Sequence, residues 1–292
     1  MVDFTPVDYS SGVRRMMPVV LMGWLVLTFI FLSLKFAFRD SFDVFGLSPS
    51  PEFCHGNMEG CNRTDLFAFQ CASGVALTLC ALIGFNAWHV SKRVHKKLPS
   101  TAEGRLVGYL PEAELLAAIN FTFQSWDFLV SLFIPEHATW IMLSHHVMAS
   151  TVAWCSIRYQ YLHYYSIFFL GLTEVSSIFL VFLDLSKYYP PRTGGIFDIV
   201  VTICGPSFVF TFIYYRVILW WPESFRLLKD VVEVIRSGRA EKLRPGASWV
   251  LFVFLSLNFP LGLLQLYWVS IIAEEVNKSL QPPDIGLTQI TL

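Results

Sequence analysis

Apolar residues are gathered into seven stretches of roughly 20 residues, near 18–38, 66–88, 114–133, 138–157, 161–183, 196–221 and 249–273, separated by polar or turn-forming segments. A helix rises about 1.5 Å per residue, so a stretch of about 20 crosses a hydrocarbon core of roughly 30 Å. Lipid offers the backbone no hydrogen-bond partners, and a helix satisfies its own amides within one segment. The pattern therefore predicts an all-α, polytopic transmembrane helix bundle of about seven spans. The first stretch is too long for a removable signal peptide and lacks a small-residue cleavage site, so it is expected to be a span or a signal anchor.

Polar positions between the stretches predict an orientation, because cytoplasmic loops are enriched in lysine and arginine. Seven crossings put Arg39, Arg63, Lys187, Arg192 and Lys278 on one side. The other side holds Arg14, Arg15, Arg105 and Arg158 together with two blocks, SKRVHKK after the second span and the 222–247 connection after the sixth. The richer side is expected to be cytoplasmic, with the amino terminus inside and the tail lumenal or outside. On the poorer side lie Cys54 and Cys61, the only cysteines outside the spans, which are expected to form a disulfide in an oxidising compartment. Beside them, Asn62, Arg63 and Thr64 form a glycosylation sequon, and Asn277, Lys278 and Ser279 a second one. Cys71, Cys80, Cys155 and Cys204 sit in apolar stretches without metal-ligand spacing and read as packing residues.

Composition sharpens this picture. A hydrophobic share of 54%, with 15% charged residues, leaves too little polar material to coat a water-soluble globule. A net charge of -1 gives nucleic acid no electrostatic footing. Membrane lipids are the expected partners, and a homo-oligomer is a further expectation. A seven-span receptor or retinal protein is disfavoured, since the last span has no lysine for a Schiff base and the amino terminus is expected inside.

Candidate chemistry lies in the polar groups within the spans, because ionisable side chains in lipid are costly and seldom kept without a partner or a role. They are Asp127, His145, His146, Glu174, Asp198 and Arg216. Asp127 and His145 are equally far from the turn near Glu136, and His145 and Glu174 are nearly so from the turn near Tyr159. In antiparallel helices with short connections, equal distance from the turn means equal height, so these groups are expected to form one polar layer near the midplane. Asn120, Gln124, Asp127 and Ser131 step by four, three and four residues and share a helix face. Ser166, Thr173, Glu174 and Ser177 form a looser stripe. His145 and His146 point about 100° apart and so meet different partners.

Three readings compete. The layer is a satisfied hydrogen-bond network that fixes packing, or a reactive or ligand-binding centre, or a metal site. Vicinal histidines are poorly spaced to chelate from one helix, and no metal is expected. Arg216 has an ordinary explanation, snorkelling to the headgroups beside Trp220 and Trp221. Asp198 lies near enough to a span end to be solvated, and Pro206 and Pro260 are expected to kink their helices.

The segments SHHVMASTVAW, YYSIFFLGLTEVSSIFL and FTFIYYRVILWW resemble the TLC-domain superfamily of TRAM, Lag and CLN type, which includes the ceramide synthases and the translocation-associated TRAM proteins. The resemblance implies a histidine pair at His145 and His146, an acid on the next helix at Glu174 and a later arginine at Arg216. It divides the chain into residues 1–65 with the extra first span, a six-helix domain over 66–273, and a tail over 274–292. Ceramide synthases carry two aspartates three residues apart where this chain has Glu174 and Ser177, so the non-synthase branch is the closer match.

Two functions remain. In one, a buried His/acid centre binds, senses or modifies a sphingolipid, ceramide or acyl lipid. In the other, the protein is a lipid N-acyltransferase in which His145 or His146 is general base or acyl acceptor, oriented by Glu174 or Asp127, with acyl-CoA as co-substrate and no bound cofactor. Arg216, Asn120, Gln124 and Ser177 are the expected substrate-binding residues. An endomembrane location, the endoplasmic reticulum first, is expected, with the plasma membrane as the alternative.

Overall fold

The structure, a computed structural model, describes residues 9–39, 48–54, 61 and 63–280. Its order is α1 (Tyr9–Ala37), α2 (Thr64–Phe85), α3 (Arg93–Lys97), α4 (Ala102–Val107), α5 (Pro111–Ser131), α6 (Trp140–Tyr159), α7 (His163–Ser166), α8 (Val175–Tyr188), α9 (Ile196–Thr211), α10 (Trp220–Arg236), α11 (Arg239–Leu243) and α12 (Trp249–Leu280). Among the described residues there is no strand. Several of these segments are continuous rods. A π-turn at Ile167–Gly171 and a 3₁₀ turn at Leu172–Glu174 join α7 to α8, and a π-turn at Phe212–Ile218 joins α9 to α10. Among the described residues the bundle thus has seven long helical rods, in the order the hydropathy predicts.

Five rods are long and apolar enough to cross a membrane: Tyr9–Ala37, Thr64–Val90, His163–Tyr188, Ile196–Arg236 and Trp249–Lys278. The other two, α5 and α6, have 21 and 20 residues, which is also about 30 Å of helix. They are less apolar because Asn120, Gln124, Asp127, His145 and His146 sit on them, turned away from lipid.

One expectation is corrected. The 222–247 segment is not a loop: helix continues to Arg236, and α11 follows. Along α10, Leu227, Asp230, Val231 and Val234 are buried while Lys229 and Arg236 are exposed. Such an amphipathic helix averages to low hydropathy and so looks like a connection in a hydropathy scan.

The two ends of the bundle differ in chemistry. At the basic end Arg15 donates to Glu114 at 2.8 Å, and Tyr109 donates to the same carboxylate at 2.7 Å. There, too, Arg105 and Tyr165 both donate to Asp230, each at 2.6 Å. At the other end Cys54 and Cys61 are joined in a disulfide. Phe53 packs edge-on to Tyr188, and Arg63 binds Glu136 at 2.8 Å. Asn62 lies outside the described residues, while Asn277 is exposed in the last turns of α12.

The helix pair that positions the site touches backbone to backbone. A Cβ on Gly84 would stand 2.5 Å from the backbone of Gly171 and Leu172, so only glycine lets α2 approach the π-turn this closely. Three residues beyond Gly171 stands Glu174.

Candidate functional site

The polar faces of α5 and α6 meet through one histidine. His146 is buried, with Nε2 3.1 Å from Asp127 Oδ1 and Nδ1 2.7 Å from Gln124 Oε1. Ser131 donates to the same Asp127 oxygen at 2.8 Å. Two proton arrangements satisfy these atoms: an imidazolium donating to both oxygens, or a neutral ring with the Gln124 amide reversed. In either, both ring nitrogens are occupied.

His145 points elsewhere, as a one-residue step on a helix requires. Its ring lies edge-on to Trp268 of α12, 5.3 Å between centroids, and its buried Nδ1 meets no protein partner. Asn120 donates to the Leu170 carbonyl at 3.4 Å, with its Oδ1 unpartnered.

Glu174 was one of two acids expected to orient an imidazole; the structure gives that place to Asp127. Glu174 instead pairs with Arg216 at 2.9 Å, and both are buried. This corrects the expectation that Arg216 snorkels. Its guanidinium donates to the Thr173 carbonyl at 3.0 Å, to Ser176 at 2.9 Å, to Ser177 at 2.8 Å and to Gln265 at 3.4 Å. Ser177 in turn donates to Glu174 at 2.6 Å. A buried charge is tolerated when it is paired and hydrogen-bonded, and this pair is held by the two serines, the Thr173 carbonyl and Gln265. The looser stripe divides: Ser166 turns to Ser156, and Thr173 closes on the Phe169 carbonyl.

These groups line one large cavity of about 1540 Å³. Its inner wall carries Gln124, Asp127, His145, His146, Glu174 and Arg216. Its outer walls are mainly apolar, with Leu180, Val209, Phe212 and Ile272 among them, and its mouth carries Glu52, Glu136, His137 and Lys187 at the disulfide end. Beyond Gln265 no described residue of α12 is buried, and α9 buries only Cys204 and Phe208. The two helices therefore stand apart along the cavity, leaving a side open to lipid. Among the described residues no group of three or more His, Cys, Asp and Glu side chains is placed to hold a metal ion.

Residues that the sequence reading did not single out complete the site. Gln265 and Trp268 lie three apart on one face of α12, and Ser176 caps the guanidinium. Gln265 was legible as a polar residue within a span, but a search restricted to ionisable groups passes over it.

No curated protein matches the chain. The TLC-domain family model matches residues 67–274, which run from the first turn of α2 to Glu274 within the last helix and leave α1 outside. That match spans well over half of the 292 residues, and with a helical bundle holding a histidine pair, an acid and an arginine, this chain belongs to the TLC-domain family.

Proposed function

We propose that this multi-pass membrane protein binds a membrane lipid, with the acyl chains in the wide cavity and the polar head against the His146, Asp127 and Arg216 wall. The observation that carries this is the joining of an apolar, laterally open cavity of about 1540 Å³ to a buried polar centre. Ligand sites for ordinary small molecules run to roughly 300–1,000 Å³, so this volume suits something larger and mostly apolar. A sphingolipid, a ceramide or another acyl lipid fits that description, in keeping with the non-synthase branch of the family. The basic end faces the cytoplasm in this reading, the amino terminus is inside, and an endomembrane such as the endoplasmic reticulum is the location.

Binding without turnover is favoured over N-acyl transfer at His146 by the state of its ring, which leaves His145, with its unpartnered Nδ1, as the base of the second reading. A general base needs a free lone pair within reach of the substrate proton, and both nitrogens of this ring are engaged. The acyltransferase reading draws support from the Asp127–His146 contact, the pairing that orients a catalytic imidazole, and it requires acyl-CoA as co-substrate.

The test is mass spectrometry of lipids retained by the full chain purified in nanodiscs, beside Val209→Trp, which fills the cavity from α9. The wild type should carry a defined lipid enriched over the bulk membrane, and the variant should lose it several-fold. A lipid profile identical to the bulk membrane in both would sink the proposal. Formation of an N-acyl product from acyl-CoA and an amine lipid, lost in His145→Ala or His146→Ala, would establish the second reading instead.

A further inference from the structure

A second, much smaller chamber of about 40 Å³ lies end to end with the wide cavity. The helices show the order. Along α12 the chamber touches Asn258, Leu261 and Gln265, and the wide cavity takes over at Trp268 and continues to Val276. Along α6 the chamber touches Ala149 and Val152, and the wide cavity Met142 and His146. Since α12 starts at the basic end, the chamber lies between the polar centre and that end. Gln124, His145, Glu174 and Arg216 line both spaces and so form the partition between them.

Most of the chamber's wall is apolar, from Ala149, Val152, Phe169, Leu170 and Leu261, but polar residues of several helices are set into it. Three of the residues that line it each carry a buried polar atom with no protein partner: Asn120 Oδ1, His145 Nδ1 and Trp220 Nε1. Asn120 and Trp220 are 1% and 4% exposed. Gly262 brings the indole into place, since a Cβ there would stand 2.8 Å from Trp220 Nε1. Irregular backbone flanks the chamber as well, through Phe169 and Leu170 of one π-turn and Arg216 of the other. Such turns in membrane helices are tolerated where they line a polar space.

We propose that this chamber is a water site, holding about two or three ordered waters that bridge Asn120, His145 and Trp220. A buried water needs roughly 10–15 Å³ of such volume and two to four polar partners, and the chamber supplies both. An orphaned buried donor or acceptor is costly, and one bridging cluster relieves all three atoms at once. The two adjacent histidines then have separate environments. His146 is tied to Asp127 and Gln124 on the lipid side, while His145 is the member in contact with water. This assignment does not depend on which lipid fills the wide cavity, nor on turnover.

X-ray radiolytic labelling in H₂¹⁸O, applied to the full chain in nanodiscs and read by mass spectrometry, tests it, because hydroxyl radicals form where water is held. Phe169 should label at least several-fold faster than the like side chain Phe29, which is 71% exposed on α1. Ala149→Leu, which fills the chamber, should bring that labelling down to the α1 level while thermal stability shows the fold intact; Val152→Ile serves if Ala149→Leu does not fold. Labelling of Phe169 no faster than Phe29 in the wild type would overturn the proposal. So would wild-type labelling that a folded, filled variant retains, or labelling confined to Leu180 and Trp268, which would place the water in the wide cavity.

Discussion

Arg216 and Glu174 form an ion pair 2.9 Å long inside the bundle, with Ser177 bonded to both partners. Its energetic meaning lies in the asymmetry between breaking and removing it. Loss of one partner leaves an uncompensated buried charge, which costs about 3–5 kcal/mol, whereas replacing both by apolar groups is often close to neutral. Arg216→Met should therefore destabilise strongly, and Arg216→Met with Glu174→Met should recover much of the loss. Unfolding in detergent, followed by helical signal against denaturant, measures both. Equal destabilisation by the single and double changes would mean that the charges act independently.

The contact between His146 and Asp127 predicts coupling that His145 does not share. Asp127→Asn should cost about 1–3 kcal/mol by weakening the acceptor of a buried ring nitrogen. In a double-mutant cycle with His146→Ala the two effects should fall short of additive, while the cycle of Asp127→Asn with His145→Ala should come closer to additivity. If His145 couples to Asp127 as strongly as His146 does, the division between the two histidines is wrong.

Close approach at Gly84 predicts a steric rather than a polar effect. Gly84→Ala places a methyl 2.5 Å from the backbone of Gly171, so α2 and the π-turn must separate. Overpacking of this kind costs typically about 1–3 kcal/mol. The shift also moves Glu174, three residues on, and retained lipid should fall along with the thermal midpoint. A midpoint unchanged within error would show that the interface has slack.

Orientation follows from the basic end. A cysteine placed at the exposed Ser237, just past α10, should react with a membrane-impermeant thiol reagent only when the cytosolic face is accessible. Cys54 and Cys61, held as a disulfide at the opposite end, should react only after reduction and from the lumenal face. Labelling of Ser237→Cys from the lumen would invert the bundle.

Hydropathy alone determined the number and order of the long helices, because a stretch of about 20 apolar residues has one stable form in lipid. Equal spacing from two tight turns predicts one depth for Asp127, the histidine pair and Glu174, since helical rise is nearly constant, and all four line the same cavity. The continuation of helix through α10 escaped that reading, because its buried stripe is offset by an exposed basic face. Tertiary structure decided which acid serves which base. Depth follows from counting residues, but facing follows from rotation about each helix axis. The π-turn and 3₁₀ turn just before Glu174 break the regular 3.6-residue phase from which its direction would be extrapolated. That change of phase, with the glycine contact beneath it, directs Glu174 to Arg216 and leaves His146 to Asp127. The cavity and its small neighbour belong wholly to the packing, since no local pattern records where α9 and α12 stand apart.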